Sequence, residues 1–232
     1  MYRLLLALLL FTGSRAEAAQ RVYSVTSFDH IRVDGPYTVD VRVGPSSAAR
    51  ATGDPSAIDR VTVEVQGTTL IVRPNKAAWG GWPGSSTGSI RIAVSTPALS
   101  AALLTGAGGI AIDRVKGARL DLQLMGSGTI SVDSVDTESL NMSLTGSGNM
   151  RVAGRTEQTR AILQGPGSLD GAALIAADAE VNATGSGNLA LSAGRSAKII
   201  AAGSGDVTIG GKAACIVHQT GSGEVNCARK AD

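Results

Sequence analysis

The chain has 232 residues, of which 30 are glycine and only seven aromatic, and it carries a formal net charge of +2. Glycine stands near twice its ordinary share of about 7%, so its placement is the first thing to explain. A charge this close to zero argues against nucleic acid as the partner, because phosphate binding rests on an excess of Lys and Arg.

Residues 1–18 read as a secretory signal peptide. Arg3 supplies a positive start, Leu4 to Phe11 an apolar run, and Ala16-Glu17-Ala18 a small-x-small cleavage pattern, which predicts a mature chain from Ala19. The apolar run is well short of the ~20 residues a spanning helix needs, and no other segment approaches it, so the chain is not expected to span a membrane. No cysteine follows the leader to take a lipid. Export would place Cys215 and Cys227 in an oxidising compartment, where they can pair.

Residues 19–98 carry strand signals. Ile31, Val33, Val39, Val41 and Val43 alternate with polar residues around Gly35-Pro36, and Val61, Val63 and Val65 alternate before a Gln66-Gly67 turn. Leu70 and Val72 follow the turn, and Ile90, Ile92 and Val94 alternate before Pro97. Asp54-Pro55 opens a predicted helical turn to Arg60, with Asp as N-cap and Pro in the first helical position. The loop 75–88 holds Trp79 and Trp82 on either side of a Gly-Gly pair. Two indoles on a glycine hinge are a candidate contact for a glycan or a partner protein; the alternatives are that they fold back and cap the open end of the fold, or that the loop is flexible. Gly84-Ser-Ser86-Thr-Gly88 matches the nucleophile-elbow pattern in letters only, since that motif needs a strand before it and a helix after it.

From residue 99 onward a repeat takes over. Gly-x-Gly occurs seven times, as Gly106/Gly108, Gly126/Gly128, Gly146/Gly148, Gly165/Gly167, Gly185/Gly187, Gly203/Gly205 and Gly221/Gly223. The steps are 18–20 residues, and the middle residue is usually Ser. Aliphatics stand two, four and six residues before the first glycine (Leu124, Leu122, Leu120) and four and six after it (Ile130, Val132), with polar residues between. Alternation on both sides of a glycine corner is a strand signature with one buried face. Two short strands per constant unit predict an all-β solenoid of about 18–20 residues per coil, with residues 99–232 as regular coils and 19–98 as an atypical β-rich capping part. A glycine recurs at the corner because the bend needs φ > 0 or because no Cβ fits beneath the next coil. The coil at 159–177 departs from the pattern through Pro166, Gly171 and Leu174-Ile175, which predicts a bulge or a functional notch.

The order of these elements resembles the family described as "putative auto-transporter adhesin, head GIN domain", a group of exported bacterial proteins. The matching stretches are Phe28-Asp-His-Ile-Arg-Val-Asp-Gly-Pro-Tyr-Thr-Val-Asp-Val41, Val61-Thr-Val-Glu-Val65 with Leu70-Ile-Val72, and Ile90-Arg-Ile-Ala-Val-Ser-Thr-Pro97. Gly-Ser-Gly-Asn at 146–149 and 185–188 completes them. The resemblance implies a right-handed parallel β-helix located in the periplasm, the outer envelope or outside the cell. It brings no catalytic residues with it, and fold does not fix function.

Few residues carry chemistry of their own. His30 and His218 are the only histidines, so no His-rich metal site is predicted, and no cofactor is expected. The column after the corner reads Gly109, Thr129, Asn149, Ser168, Asn188, Asp206, Glu224. Asp206/Glu224 and Asp113/Asp133 are the carboxylate pairs that a carbohydrate-active solenoid enzyme or a cation site would need, and they serve equally as solvated turn residues. Cys215 and Cys227 lie six residues before and six after Gly221, which predicts a disulfide clamping the last coil or else two buried thiols. The outward column Leu103, Gln123, Ser143, Ile162, Asn182, Ile200, His218 is more aliphatic than a solvated face requires. That column and an open last strand edge are expected places for a protein contact or self-association through a solenoid end. The expected function is a non-enzymatic envelope or surface interaction module of adhesin type. A carbohydrate-active enzyme and a structural periplasmic protein without a ligand are the alternatives.

Overall fold

A computed structural model describes residues 19–75 and 90–227. Its elements are β1 (Ala19–Tyr23), β2 (His30–Asp34), β3 (Thr38–Val43), β4 (Ala48–Gly53), α1 (Pro55–Asp59), β5 (Val61–Gln66) and β6 (Thr69–Pro74). They continue with β7 (Ile90–Thr96), β8 (Ala101–Gly106), β9 (Gly109–Ile112), β10 (Val115–Gly126), β11 (Thr129–Thr145), β12 (Asn149–Gln164) and β13 (Ser168–Gly185). The last four are β14 (Asn188–Gly203), β15 (Val207–Gly211), β16 (Ala214–Gly221) and β17 (Val225–Cys227). The fold is a β-solenoid of about six turns.

The expected parallel stack is present. Met142 lies beside Ala161, Ala161 beside Val181, and Val181 beside Ile199, each on the next strand along the axis. Leu122, Met142, Val181 and Ile199 are all 1% exposed or less. Each coil is three-sided, where alternation alone suggested two strands. The buried residues of one coil are Ile130 and Val132, then Val135 and Thr137, then Leu140, Met142 and Leu144. The step between them is two within each run and three at two places, and a step of three turns the inward face through a bend.

Those bends also explain the uneven repeat length. Val132 to Val135 spans three residues, whereas the next coil spans the same bend from Val152 to Gly154. In the coil at 159–177 the register shifts between Gly171 and Ile175, leaving Leu174 buried and Ile175 exposed. The irregularity is a bulge, and a Cβ on Gly171 would collide with Leu191 of the next coil. The core narrows along the axis, from Leu140/Met142/Leu144 to Ala179/Val181/Ala183 and Ala197/Ile199/Ala201. Three threonines enter this part of it, Thr137 and Thr156 in the short middle run and Thr159 beside Leu140 at the start of the next. Thr137 and Thr156 contact each other at 3.3 Å, and Thr159 donates to the Leu140 carbonyl at 3.3 Å.

Chain order and spatial order part company in the N-terminal segment. β2 pairs in parallel with both β6 and β8, and β3 with both β7 and β9. The coil at 30–43 is therefore sandwiched between a coil made later, at 69–96, and the first coil of the regular series. Its turn is made by Gly35 at φ 114°, close to the 111–127° of the later corner glycines. Gly35 is an eighth corner, disguised in the sequence by the Pro36-Tyr37 that follows it.

Beyond β6 and β7 the parallel pattern stops. β5 runs antiparallel to β6, β4 antiparallel to β7, and β1 antiparallel to β4. Helix α1 crosses beside them and buries Ile58; the Asp54 side chain caps it by accepting from the Ser56 amide at 2.8 Å. Together these elements cover the last apolar layer at this end, with Ala49, Ala51, Val61 and Val63 buried.

Candidate interaction surface

The glycine corners form one edge of the solenoid, and the two glycines of each corner are there for different reasons. Gly146 has φ 120°, a conformation that side chains rarely adopt. Gly148 has no such angle, but a Cβ built on it would stand 2.6 Å from the Gly128 carbonyl oxygen. That oxygen receives the Asn149 amide at 2.9 Å, and the Gly126 oxygen receives the Gly148 amide at 2.9 Å. The same close approach recurs at Gly108, Gly128, Gly167, Gly187, Gly205 and Gly223, and positive φ recurs at Gly106, Gly126, Gly165, Gly185, Gly203 and Gly221.

Just past this edge the expected polar column is a side-chain ladder. Asn188 Oδ1 accepts the Asp206 amide at 3.3 Å, and Asp206 Oδ1 accepts the Glu224 amide at 2.9 Å. Asp113 does similar work at a bend, its Oδ1 accepting the Val43 amide at 3.0 Å and its own neighbour Arg114 at 2.6 Å. Asp206 and Asp113 thus spend an oxygen on the backbone of adjoining strands. Among the described residues no three of His, Cys, Asp and Glu gather where a cation could be held.

The outward face of the coils carries charge in axial pairs. Arg155 Nε meets Asp136 at 2.9 Å, Arg195 Nε meets Asp178 at 3.0 Å, and Arg151 reaches Asp170 at 3.1 Å, each across one coil step. Hydrogen bonds from Arg195 and then Ser196 hold the Asp178 carboxyl down at about 2. Asp136 is lowered in the same way, chiefly by Arg155. Two shallow grooves run beside these pairs. One of about 360 Å³ is lined by Asp136, Thr156, Arg155, Arg195 and the exposed Ile175; the other, about 440 Å³, by Asn141, Gln158, Arg160, Asp178 and Lys198. Their charges alternate in sign.

The outward column stacks as read from the sequence, with Leu103 beside Gln123, Ser143 beside Ile162, and Ile200 beside both Asn182 and His218. It also extends below residue 99, because Arg32 lies beside Leu103. Cys215 and Cys227 are joined in a disulfide, Cα to Cα 6.6 Å, both half-buried against the core. Trp79, Trp82 and the Gly84–Gly88 match lie outside the described residues, as does the leader 1–18. Strand β6 ends at Pro74 and β7 begins at Ile90. Among the described residues no helix is long and apolar enough to cross a membrane.

Solved structures share this architecture. A "putative adhesin" from Bacteroides fragilis aligns with a TM-score of 0.83 and 19% identity over 91% of this chain and 97% of its own. A "putative lipid binding protein" from Parabacteroides distasonis gives 0.70 and 20% over 91% and 96%, and a "putative adhesin" from Parabacteroides merdae 0.68 and 17% over 92% and 97%. At these identities the likeness is one of fold. No curated protein matches the chain by sequence. The sequence profile of the family described as "putative auto-transporter adhesin, head GIN domain" matches residues 27–213, from the sandwiched first coil to the threshold of the disulfide-bonded last one, and the chain belongs to that family.

Proposed function

We propose that this protein is an exported, non-enzymatic interaction module of the bacterial cell envelope or surface, adhesin-like in use, with the loop bearing Trp79 and Trp82 as its contact for a glycan or an envelope protein. Family membership supports a role in surface contact, and the disulfide supports export to an oxidising space. The observation that carries the non-enzymatic reading is where the carboxylates go. Asp206 and Asp113 accept backbone amides of neighbouring strands, and Asp136 and Asp178 are held ionised by arginines. A glycosidase-type pair needs one carboxyl kept protonated at working pH, and the arginines beside Asp136 and Asp178 push those two the other way.

What remains for binding is the segment bearing Trp79 and Trp82, which joins β6 to β7 of the β scaffold. Placing recognition on a loop fixed at both ends to a stiff body is a common division of labour. Screening the exported chain on a glycan array and against intact envelope fractions, beside the Trp79→Ala/Trp82→Ala variant, tests the reading. Binding by the parent that the double variant loses is the expected result. Retention of binding by the variant removes the loop from the account, and hydrolysis or cleavage of any arrayed glycan removes the non-enzymatic reading.

A further inference from the structure

The two ends of the solenoid are built differently. At the N-terminal end both terminal coil strands have antiparallel partners on their outer side, β5 against β6 and β4 against β7. At the other end β16 pairs with β14 and β17 with β15, and among the described residues neither has a strand on its outer side. The core columns run out into this open face. Val217 continues the column of Ile199 yet is 41% exposed, where Ile199 is 0%. On the outward face of the same sheet Ile216 is 62% exposed and Ile200 38%, so three of the six large exposed apolar side chains among the described residues lie on β16 or its neighbour β14. Residues 214–221, Ala-Cys-Ile-Val-His-Gln-Thr-Gly, contain neither a charge nor a proline. Those are the usual devices that stop an edge strand from recruiting another chain.

We propose that this end is a self-association surface and that its occupant is a second copy of the chain, packed tail to tail about a two-fold axis with β16 antiparallel to the β16 of the other copy. Charge selects that arrangement. Lys212 lies just before β16 and Glu224 just past the glycine corner that follows it, with no charge between them. Antiparallel pairing centred on His218 brings Lys212 of each copy opposite Glu224 of the other, twice by symmetry. Head-to-tail stacking would set β16 against the antiparallel cap of β1, β4 and β5 instead of a matching parallel coil. The contact is therefore isologous and closes at two copies instead of growing into a fibre. The disulfide fits this role, since it ties the three-residue β17 to β16 and holds the docking edge in one shape.

Sedimentation velocity on the oxidised full chain, over a roughly hundred-fold range of concentration, reads the equilibrium directly. A concentration-dependent dimer is expected. Val217→Lys, whose ammonium reaches water in the single copy, abolishes it with the circular dichroism unchanged. Lys212→Glu and Glu224→Lys each weaken it roughly tenfold, and the double exchange restores it. A monomer throughout the range, a dimer indifferent to Val217→Lys, or assemblies larger than two would each overturn the proposal. So would dimerisation seen only after residues 228–232 are removed, which would make the chain's own tail the occupant.

Discussion

One added carbon at Gly148 has nowhere to go. Its neighbour is the Gly128 carbonyl oxygen, held in the coil-to-coil ladder, and it cannot swing aside as a side chain can. Gly148→Ala is expected to cost about 3 kcal/mol or more in denaturant unfolding, the upper range for overpacking. Gly117 is the control: nothing lies within 4 Å of a Cβ there and its φ is unexceptional, so Gly117→Ala stays within about 0.5 kcal/mol of the parent. Equal effects at the two positions would refute the steric argument. The sequence made both corner glycines conspicuous through their period, yet could not assign one to backbone angle and the other to crowding. That division depends on which carbonyl lies beneath, a relation between residues some twenty apart. Gly35 was missed for a related reason: its corner carries Pro36 and Tyr37 in place of the Ser-Gly that marks the others.

At the level of the element, alternation was a sound guide wherever a strand is straight. It failed at the bends. Val135 and Thr137 form a short middle run whose second inward residue is polar, so nothing in hydropathy announces it. The bulge at Gly171 to Ile175 was legible as a break in pattern, but its cause, room for Leu191 of the next coil, is a packing fact. The Asp113 and Asp206 carboxylates were legible as candidates and not as backbone acceptors, because hydrogen bonds to a neighbouring coil leave no mark in a linear text. The last coil is where element stability is most exposed to test. Its inward residues Cys215, Val225 and Cys227 are half-buried and Val217 is exposed, and the Cys215–Cys227 bond closes a loop with a sequence separation of 12. Loop closure of this size is worth about 3 kcal/mol in the chain-entropy model. Replacing both cysteines by Ala should speed amide hydrogen exchange at 214–227 about a hundredfold while leaving the strands at 129–185 unchanged. Uniform acceleration along the chain would mean that the last coil does not open by itself.

Across the whole molecule, the boundary near residue 98 separates two textures of sequence without separating two cores. Leu104, Ile110 and Ile112 are covered by Val33, Val39 and Val41 of the sandwiched coil, in register along β2 and β3. A fragment comprising residues 99–232 would present that layer to water as a broad apolar sheet end with free edges. It is expected to bind a dye such as ANS and to aggregate, whereas the chain from Ala19 does neither; a well-behaved monomeric fragment would show that the N-terminal segment is dispensable. The parallel stack and its spacing were readable because each unit repeats the demands of the last. The sandwiching of residues 30–43 was not, since it joins segments whose local patterns are all alike and whose order in space only the pairing reveals.

That sandwiching bears on how the molecule comes into being. As synthesis proceeds from the N-terminus, the strands at 30–43 emerge before either of the coils that flank them. They must wait, apolar on the inner face and bare along both rims, until residues 69–96 arrive on one flank and 101–112 on the other. Only then does a seed exist, and from that moment every newly made stretch of some twenty residues has a finished template to settle on, so that growth runs one way, from the closed end towards the cysteines.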